Sequence, residues 1–528
     1  MSGMFEPKAD GAKRREARAL QEAKSRRKTR IIMISVVTVL ALLFAAALLI
    51  NSKYIRRTLP VLTIDGVSFT TVDYEYFFNA EYVEYMNLMS QMQGMGGLGG
   101  SLPDDNKPLS SQIYDPDTGE TWADFFSEMT LRRMSMMVQL YNAAMTAGFR
   151  LTGERTAEID ENMANVRMQA ESYGFPSTES FLQRMYGNSI DEKSFRSVLE
   201  FIVTAEAYSE HVRESFDYSA EDIKGYYDAN KDSLDIFSYR TFVVFPEHVE
   251  PTEYPNTEEY LAAVEEKKAE ANAIAVEIAA GIESEDDFLA AAMEYEVLYS
   301  DPDSTLRTMQ GDRLDNDLGP WLLEETREHG DTDIIDTEQG STVIFFVSRD
   351  NNSYQLAGMR QILIMRESID PQEYENGEDD PAYIAAFEQA NREIRERAEL
   401  AYSLFVAGGE TEAALIGLIE EYSADDTEGG YYDNISKYPY QSAYVSAMKV
   451  VPEIEDWLFD ENREVGDSEL IYTEAYGYHL LYFTGYGKQF CDLIADDKLR
   501  TDAHNAWREG LADVKPPVKH RAFVLVQL

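Results

Sequence analysis

Cysteine and histidine are scarce in this chain of 528 residues. Cys491 is the only cysteine, which excludes an internal disulfide and a cysteine-ligated metal cluster. The six histidines belong to no His-Glu-x-x-His motif, and no Ser/His/Asp order, phosphate-binding loop or calcium-binding loop is present. The sequence therefore argues against hydrolases, nucleotide-dependent enzymes and metalloenzymes, and we expect neither a cofactor nor a metal site.

Positive charge is also scarce. The chain has 47 Lys and Arg against 96 Asp and Glu, a net charge of −49. Residues 1–30 hold ten of the basic and four of the acidic side chains, so the remainder is more acidic still. Such a surface repels phosphate backbones, and nucleic acid is not an expected partner. Solubility outside the cytoplasm, basic clients or cations are all compatible with it.

One long apolar run stands near the start of the chain. Residues 31–50 contain no charge and as a helix would extend about 30 Å, the thickness of a hydrocarbon core. The basic excess before them places the N-terminus in the cytoplasm. A cleaved signal peptide is the alternative, although its apolar region is usually shorter. The pattern predicts a cytoplasmic tail (1–30), a transmembrane helix (31–50) and a single-pass cell-membrane protein with an extracytoplasmic remainder.

The next part of the chain has mainly helical signals. Asp65-Gly66 predicts a hairpin turn within residues 59–69, and an aromatic helix follows over residues 74–85. The Met- and Gly-rich stretch 86–105 predicts a loop. Its methionines and the aromatic helix suit an adaptable apolar surface, while incidental methionines in a disordered loop are the alternative. Helix-capping and periodic signals continue to about residue 232.

The second half contains an internal repeat. Residues 238–245 and 358–365 align with Arg240 and Arg360 at equivalent places. Each strand is followed by an acidic insert, an alanine-rich helix, a second helix, a Gly-Asp pair and a closing strand. This order predicts two copies of one α+β module. We name residues 236–350 module 1 and residues 356–487 module 2.

The order of elements over residues 60–525 resembles the extracytoplasmic foldases of the SurA/PrsA type. In that family a helical chaperone domain is combined with parvulin-type (PpiC) peptidyl-prolyl isomerase modules. The resemblance implies an α+β chain with the transmembrane helix, a SurA-N-like helical chaperone domain (59–232), two tandem parvulin-like modules, and a C-terminal helix and strand (490–528). We expect residues 521–527 to form that strand and to return to the first hairpin.

Module 2 matches the parvulin pattern in three places. The first strand of such domains carries Arg-His-Ile-Leu, and here Gln361 replaces the histidine. Asp425 stands at the acid-or-thiol position before Gly429-Gly430, and His479 is the histidine of the closing Gly-x-His. The resemblance implies that Gln361, Asp425 and His479 are the catalytic positions.

The same alignment marks a proline pocket. Ile454 stands where an aromatic residue is usual, Val450 where methionine is common, and Phe459 at the end of the Phe-Glu-Asp-x-x-Phe pattern. The resemblance implies that these three residues bind substrate. Helical spacing alone also fits a core role for Ile454 and Phe459. His479 as a structural hydrogen-bonding residue, and Asp425 as a turn cap, are the corresponding alternatives.

Prolyl isomerisation rotates an amide over a barrier of about 18–20 kcal/mol, so a catalyst must favour the twisted state. Gln361 cannot titrate near neutrality, whereas we expect His479 to be readily protonated if Asp425 is close. Module 1 departs further, with Thr241 and Thr342 at the two histidine positions. This module is expected to serve shape or binding.

These residues favour a membrane-tethered chaperone that binds unfolded secreted polypeptides and has weak or lost prolyl isomerase activity. Two alternatives stay open. Module 2 could be an active parvulin-type isomerase, or the chain could be a non-catalytic scaffold that holds an envelope partner.

Overall fold

The computed structural model describes residues 33–41, 52–94, 102–104, 106–295 and 301–526. The chain divides into two compact units. Unit 1 comprises Met1–Ser215 and His504–Leu528, and unit 2 comprises Phe216–Ala503. The described parts combine helices with antiparallel sheets, so the α+β class is as predicted.

The fold-class prediction is wrong in one element, the transmembrane helix. In the described ranges no helix is both long enough and apolar enough to cross a membrane. Only residues 33–41 of the predicted span are described, as a helix, and nine residues rise about 14 Å, less than half of a hydrocarbon core. The rest of the predicted span and the predicted tail lie outside the described residues.

Unit 1 is mainly helical, with a small sheet at its start. Between residue 52 and the unit boundary its helices are α1 (Lys53–Thr58), α2 (Thr71–Gly94), α3 (Trp122–Thr146), α4 (Gly153–Ser172), α5 (Thr178–Tyr186) and α6 (Glu192–Ser215). Its strands up to that boundary are β1 (Pro60–Ile64), β2 (Val67–Thr70), β3 (Ile113–Asp115) and β4 (Glu120–Thr121). Asp65 and Gly66 connect β1 to β2 with φ of 40° and 88°, the left-handed pair that a two-residue hairpin favours.

Helix α2 differs from its prediction in length and in burial. It continues to Gly94, so the first part of the predicted loop 86–105 is helical, and residues 95–101 and 105 lie outside the described residues. Its aromatic face is core rather than surface, since Tyr74, Phe77 and Phe78 are each less than 5% exposed. These rings pack with α3, where Phe126 is fully buried, because large apolar rings gain most when removed from water.

The end of the chain returns to the first hairpin. Strand β15 (Val518–Lys519) pairs antiparallel with β1, and Leu62 lies opposite Lys519. The residues predicted as that strand, 521–527, instead include a 3-10 helix, Arg521–Leu525, and Gln527 lies outside the described residues. The tighter backbone turns the Phe523 ring edge-on to Tyr74, with 5.0 Å between centroids, and this packing outweighs the local strand preference.

Unit 2 contains two sheets of the same topology. Strands β5 (Ile236–Val244), β6 (Leu306–Gln310), β7 (Thr332–Asp336) and β8 (Ser341–Asp350) form the order β6-β5-β8-β7 in module 1. Strands β9 (Gln355–Met365), β10 (Tyr431–Ile435), β13 (Ser468–Thr473) and β14 (Gly477–Gln489) form the order β10-β9-β14-β13 in module 2. Module 2 also has a short hairpin, β11 (Tyr440–Gln441) and β12 (Ser446–Ala447).

The helices from residue 220 onward are α7 (Ala220–Leu234), α8 (Thr257–Ala279), α9 (Glu285–Tyr295), α10 (Gly319–Leu322), α11 (Pro381–Ala407), α12 (Glu412–Tyr422), α13 (Pro452–Leu458) and α14 (Phe490–Glu509). Helix α7 belongs to unit 2, although the predicted helical domain extended to residue 232. The unit boundary falls within α14.

The two modules repeat an arginine contact as well as the strand order. Arg240 Nε donates to Glu285 at 2.6 Å, and Arg360 Nε donates to Glu412 at 2.6 Å. In each case Nη1 also donates to a backbone carbonyl, of Pro302 at 2.7 Å and of Gly429 at 2.6 Å. The same link between first strand and second helix therefore occurs twice.

Candidate functional site

The candidate site lies on one face of the module 2 sheet. Strands β9 and β14 pair antiparallel, with Gln361 opposite Leu481 and His479 opposite Leu363. Because side chains alternate along a strand, Gln361, His479 and Leu481 share a face. The opposite face carries Ile362 and Leu480, which pack in a core cluster with α11 and α12.

The three predicted catalytic residues meet in one hydrogen-bonded chain. Gln361 Nε2 donates to Asp425 Oδ2 at 2.8 Å, and Gln361 Oε1 lies 3.0 Å from His479 Nδ1. The amide oxygen can only accept, so Nδ1 of His479 carries the proton. His479 Nε2 is then an acceptor for the Thr473 hydroxyl at 2.9 Å. The convergence is observed, and the catalytic role stays a prediction.

Asp425 is the charged end of this series of hydrogen bonds. Its Oδ1 accepts from the Thr427 amide at 3.0 Å and the Thr427 hydroxyl at 2.8 Å, and its Oδ2 also accepts from the Tyr432 hydroxyl. Burial acts to raise the pKa of Asp425, but the hydrogen bonds from Tyr432, Gln361 and Thr427 together hold it below its usual value. Asp425 is therefore a carboxylate whose acceptor positions are already used.

His479 is neutral in this environment. His479 is only 4% exposed to solvent. Burial lowers the pKa of His479 to about 4, and the opposing charges of Glu453 and Asp425 do not overcome this. The expectation that Asp425 would make His479 readily protonated is wrong, because Gln361 lies between them and removal from water dominates.

The predicted substrate-binding residues lie in an apolar cluster on the same sheet face. Ile454 is 3% exposed and packs with Met359 and Leu481, while Val450 and Phe459 are half-buried at the edge of the cluster. Phe459 is further covered within the protein, since the Lys437 ammonium lies 5.3 Å from its ring centroid and the Tyr354 ring packs edge-on against it at 5.6 Å. Ile454 is core in this structure, and its role toward substrate is untested.

A close backbone approach joins the Asp425 segment to β9. Gly430 has φ of 57°, and a Cβ at this position would lie 2.4 Å from the carbonyl oxygen of Gln361. Only glycine fits such a contact in the left-handed region. The Gly429-Gly430 pair thus brings Asp425 within reach of Gln361.

Module 1 lacks the corresponding polar chain among its described residues. Thr342 lies opposite Val243, the place that His479 has opposite Leu363 in module 2. Thr241 has the place of Gln361, so neither position provides an imidazole or an amide. Residues 296–300, at the start of the loop after α9, lie outside the described residues.

Sequence reasoning missed three participants: Tyr432, Thr427 and Thr473. Tyr432 of β10 pairs with Met359 of β9. Thr473 stands two residues after Ile471 on β13, and Ile471 pairs with His479. Period-two alternation along β10 and β13 would have placed both on the site face. Within the described residues, no three His, Cys, Asp or Glu side chains are grouped to hold a metal ion.

Unit 1 carries a separate groove of about 470 Å³ between α2 and α5. Its lining includes Val83, Leu88 and Met185, which are 38%, 53% and 37% exposed. Tyr76 and Tyr186 line it as well, with their ring centroids 4.8 Å apart. Burial raises the pKa of Tyr76 to about 12. Glu84 also lines the groove and pairs with Arg133 at 2.6 Å.

No protein family and no curated protein matches this sequence. Solved structures show partial likeness. The peptidylprolyl isomerase PrsA from Bacillus anthracis is 11% identical, with 41% of this chain and 79% of that chain covered and a TM-score of 0.22. PrsA from Bacillus subtilis is 14% identical, with 43% and 73% covered and a TM-score of 0.15.

Proposed function

We propose that this protein is a chaperone that holds unfolded polypeptides, and that it isomerises prolines weakly or not at all. The observation that carries the proposal is the open apolar groove of unit 1. An aliphatic side chain gains about 1.5–3 kcal/mol when it is fully removed from water, and an open groove that covers one side of it supplies part of that gain. The proposed clients are secreted polypeptides, and the proposed location is outside the cytoplasm.

The groove has the properties that a holding surface needs. Leu88 and Met185 present apolar area, and the unbranched methionine adapts to different client side chains. Asn87 and Gln91 also line the groove and can hydrogen-bond to a client backbone whatever its sequence. Binding would therefore be broad in specificity.

An active isomerase in module 2 is the second candidate. The convergence of Gln361, Asp425 and His479 favours it, since a polar chain beside an apolar pocket is what the parvulin resemblance requires. Against it, every member of the chain already has its hydrogen-bond partners within the protein. A client amide would have to displace one of them, so we expect weak catalysis.

Suppression of client aggregation tests the holding function. The purified full chain is added to a chemically denatured client, and light scattering is followed after dilution. We expect suppression at near-stoichiometric ratios. The double variant Leu88→Ser/Met185→Ser should bind clients about tenfold more weakly, because it removes the apolar area of the groove.

The matched control is Met168→Ser, which changes a methionine 62% exposed on α4 outside the groove. It should suppress aggregation like the unaltered protein, and circular dichroism should show all variants folded. Failure of the unaltered protein to suppress aggregation would contradict the proposal and favour the scaffold alternative. Full activity in the double variant would move the client site elsewhere.

A further inference from the structure

Module 2 has a longer segment than module 1 between two equivalent elements. Helices α10 and α13 are equivalent, because each carries a tryptophan on which an arginine stacks, at 3.8 and 4.1 Å: Arg327 on Trp321, and Arg463 on Trp457. Eight residues, 311–318, separate β6 from α10, whereas sixteen, 436–451, separate β10 from α13. We name residues 436–448 the strap. The module that has the polar chain is thus the one that has the strap.

The first residues of the strap lie against an aromatic pair. The rings of Tyr354 and Phe459 pack edge-on, with 5.6 Å between centroids. Lys437 Nζ lies 5.2 Å from the Tyr354 centroid and 5.3 Å from the Phe459 centroid, and the Lys437 amide donates to the Tyr354 hydroxyl at 3.0 Å. An ammonium is attracted to aromatic faces, and the lysine stem covers apolar surface. Lys437 therefore occupies the aromatic edge of the apolar cluster.

One buried contact attaches the strap to α14. Tyr440 is 5% exposed and Asp497 is 3% exposed, and the Tyr440 hydroxyl donates to Asp497 Oδ2 at 2.7 Å. The Tyr440 ring also packs edge-on to Phe490, with 6.4 Å between centroids. A hydrogen bond to a carboxylate is stronger than one between neutral groups. Tyr440 is therefore the latch of the strap.

The rest of the strap has few buried contacts. Strands β11 and β12 have two residues each, and the Ser442 hydroxyl accepts from the Val445 amide within the same hairpin at 2.9 Å. Of the 13 strap residues, only Ser436, Tyr440 and Ala447 are buried. Segments with few buried contacts open at a lower free energy than the core around them. The strap can therefore lift while the sheet beneath it stays folded.

We propose that the strap is an autoinhibitory cover of module 2. In the closed state Lys437 occupies the Tyr354 and Phe459 rings, and when the Tyr440 latch opens an apolar side chain of a client takes its place. This inference rests on the proposed holding function, because it assigns a second client surface to the chain. A client gains the two rings only in the open state, so its binding shifts the strap toward opening. The apparent affinity of module 2 is then reduced in proportion to the fraction of open strap.

Peptide binding to the purified full chain tests the inference. All proteins in this test carry Leu88→Ser/Met185→Ser, which weakens binding at the unit 1 groove. The probe is a fluorescent unstructured peptide with an apolar core and serine flanks, and its binding is followed by fluorescence anisotropy. Because the peptide is uncharged, a change in the net charge of the protein has little direct effect on it.

Removal of the covering side chain should tighten binding. Lys437→Ser should increase the affinity for the peptide about two- to fivefold, the range expected for exposed cation–π contacts. The matched control is Arg395→Ser, which removes one positive charge from α11, where the Arg395 side chain is 66% exposed. This control should leave the affinity unchanged.

Release of the latch should have a larger effect. Tyr440→Phe should increase the affinity about tenfold, because it removes a hydrogen bond to a charged group and raises the open fraction. The matched control is Tyr472→Phe, which removes a hydroxyl at a position of β13 that is 44% exposed. Hydrogen exchange of the Lys437 and Val445 amides should accelerate in Tyr440→Phe and on addition of peptide, while the β9 and β14 amides stay protected.

Equal affinity of the starting protein, Lys437→Ser and Tyr440→Phe for the peptide would overturn the inference, as would absence of binding by all three. Weaker binding by Lys437→Ser would overturn it as well, by showing that Lys437 contacts the client. Slower exchange in the strap on addition of peptide would show that the strap closes over clients instead of lifting. The holding function survives each of these outcomes if the protein with an intact unit 1 groove still suppresses aggregation.

Discussion

Because His479 is neutral in the folded protein, acid should destabilise module 2. An unfolded histidine takes up a proton near its ordinary pKa of 6.5, whereas burial lowers the pKa of His479 in the fold to about 4. Between these values the unfolded chain binds more protons than the folded one. The stabilisation is therefore complete above pH 6.5 and is lost as the pH falls toward 4.

The size of the effect follows from the gap of about 2.5 pH units. At about 1.36 kcal/mol for each unit, module 2 should lose about 3 kcal/mol through His479 between pH 7 and pH 4. His479→Gln provides the comparison, because glutamine can hydrogen-bond to Gln361 and Thr473 but does not titrate. The other acids titrate in both proteins, so their contributions cancel in the difference.

Hydrogen exchange of the β9 and β14 amides in denaturant measures the stability of module 2 separately from unit 1. The unaltered protein should lose about 3 kcal/mol more than His479→Gln over this pH range. His248→Gln is the control, since the His248 side chain is 80% exposed in module 1, and it should leave the pH dependence unchanged. Identical pH dependence in the unaltered protein and His479→Gln would refute the reasoning.

Two further predictions concern packing. Gly430→Ala should destabilise module 2 by about 3 kcal/mol, because a left-handed residue and a 2.4 Å contact with a β9 carbonyl are both unfavourable. The control Gly417→Ala, in open space on α12, should instead stabilise module 2 by about 0.5–1 kcal/mol. Denaturant melts distinguish the two outcomes. Phe523→Ala should lower the stability of unit 1 by about 2 kcal/mol, because buried apolar area and the contact with the Tyr74 ring are lost. The control Val524→Ala, at a position 82% exposed, should leave the stability unchanged. Equal effects of the two variants in thermal melts would show that the Phe523 contact does not stabilise unit 1.

The repeat was predictable from sequence because it depends on local order. Arg240 and Arg360 stand at the same place in two similar successions of strand and helix, and both make the same contact with a second helix. The convergence of Gln361 with Asp425 was different, since 64 residues separate them. Only the family resemblance, and not periodicity, brought those two residues together.

Burial was the property that sequence could not provide. The protonation of His479 depends on how completely other segments cover it, and the pattern of β14 does not encode that cover. In α2 the aromatic residues Tyr74, Tyr76, Phe77 and Phe78 point in several directions, so periodicity did not distinguish a client surface from a core. The 3-10 helix at Arg521–Leu525 depends on the contact of Phe523 with a ring more than 400 residues earlier.

The rate of Xaa-Pro isomerisation tests the central claim, that this protein holds clients rather than isomerising prolines, most directly. Removal of a tuned polar group commonly lowers a rate about 10²-fold, and the hydrogen-bonded chain of Gln361, Asp425 and His479 already has its partners within the protein. The full chain should therefore accelerate a proline peptide barely above background, His479→Ala should not change that rate, and Gln361→His should raise it. Robust isomerisation by the unaltered protein, abolished in His479→Ala, would contradict the account.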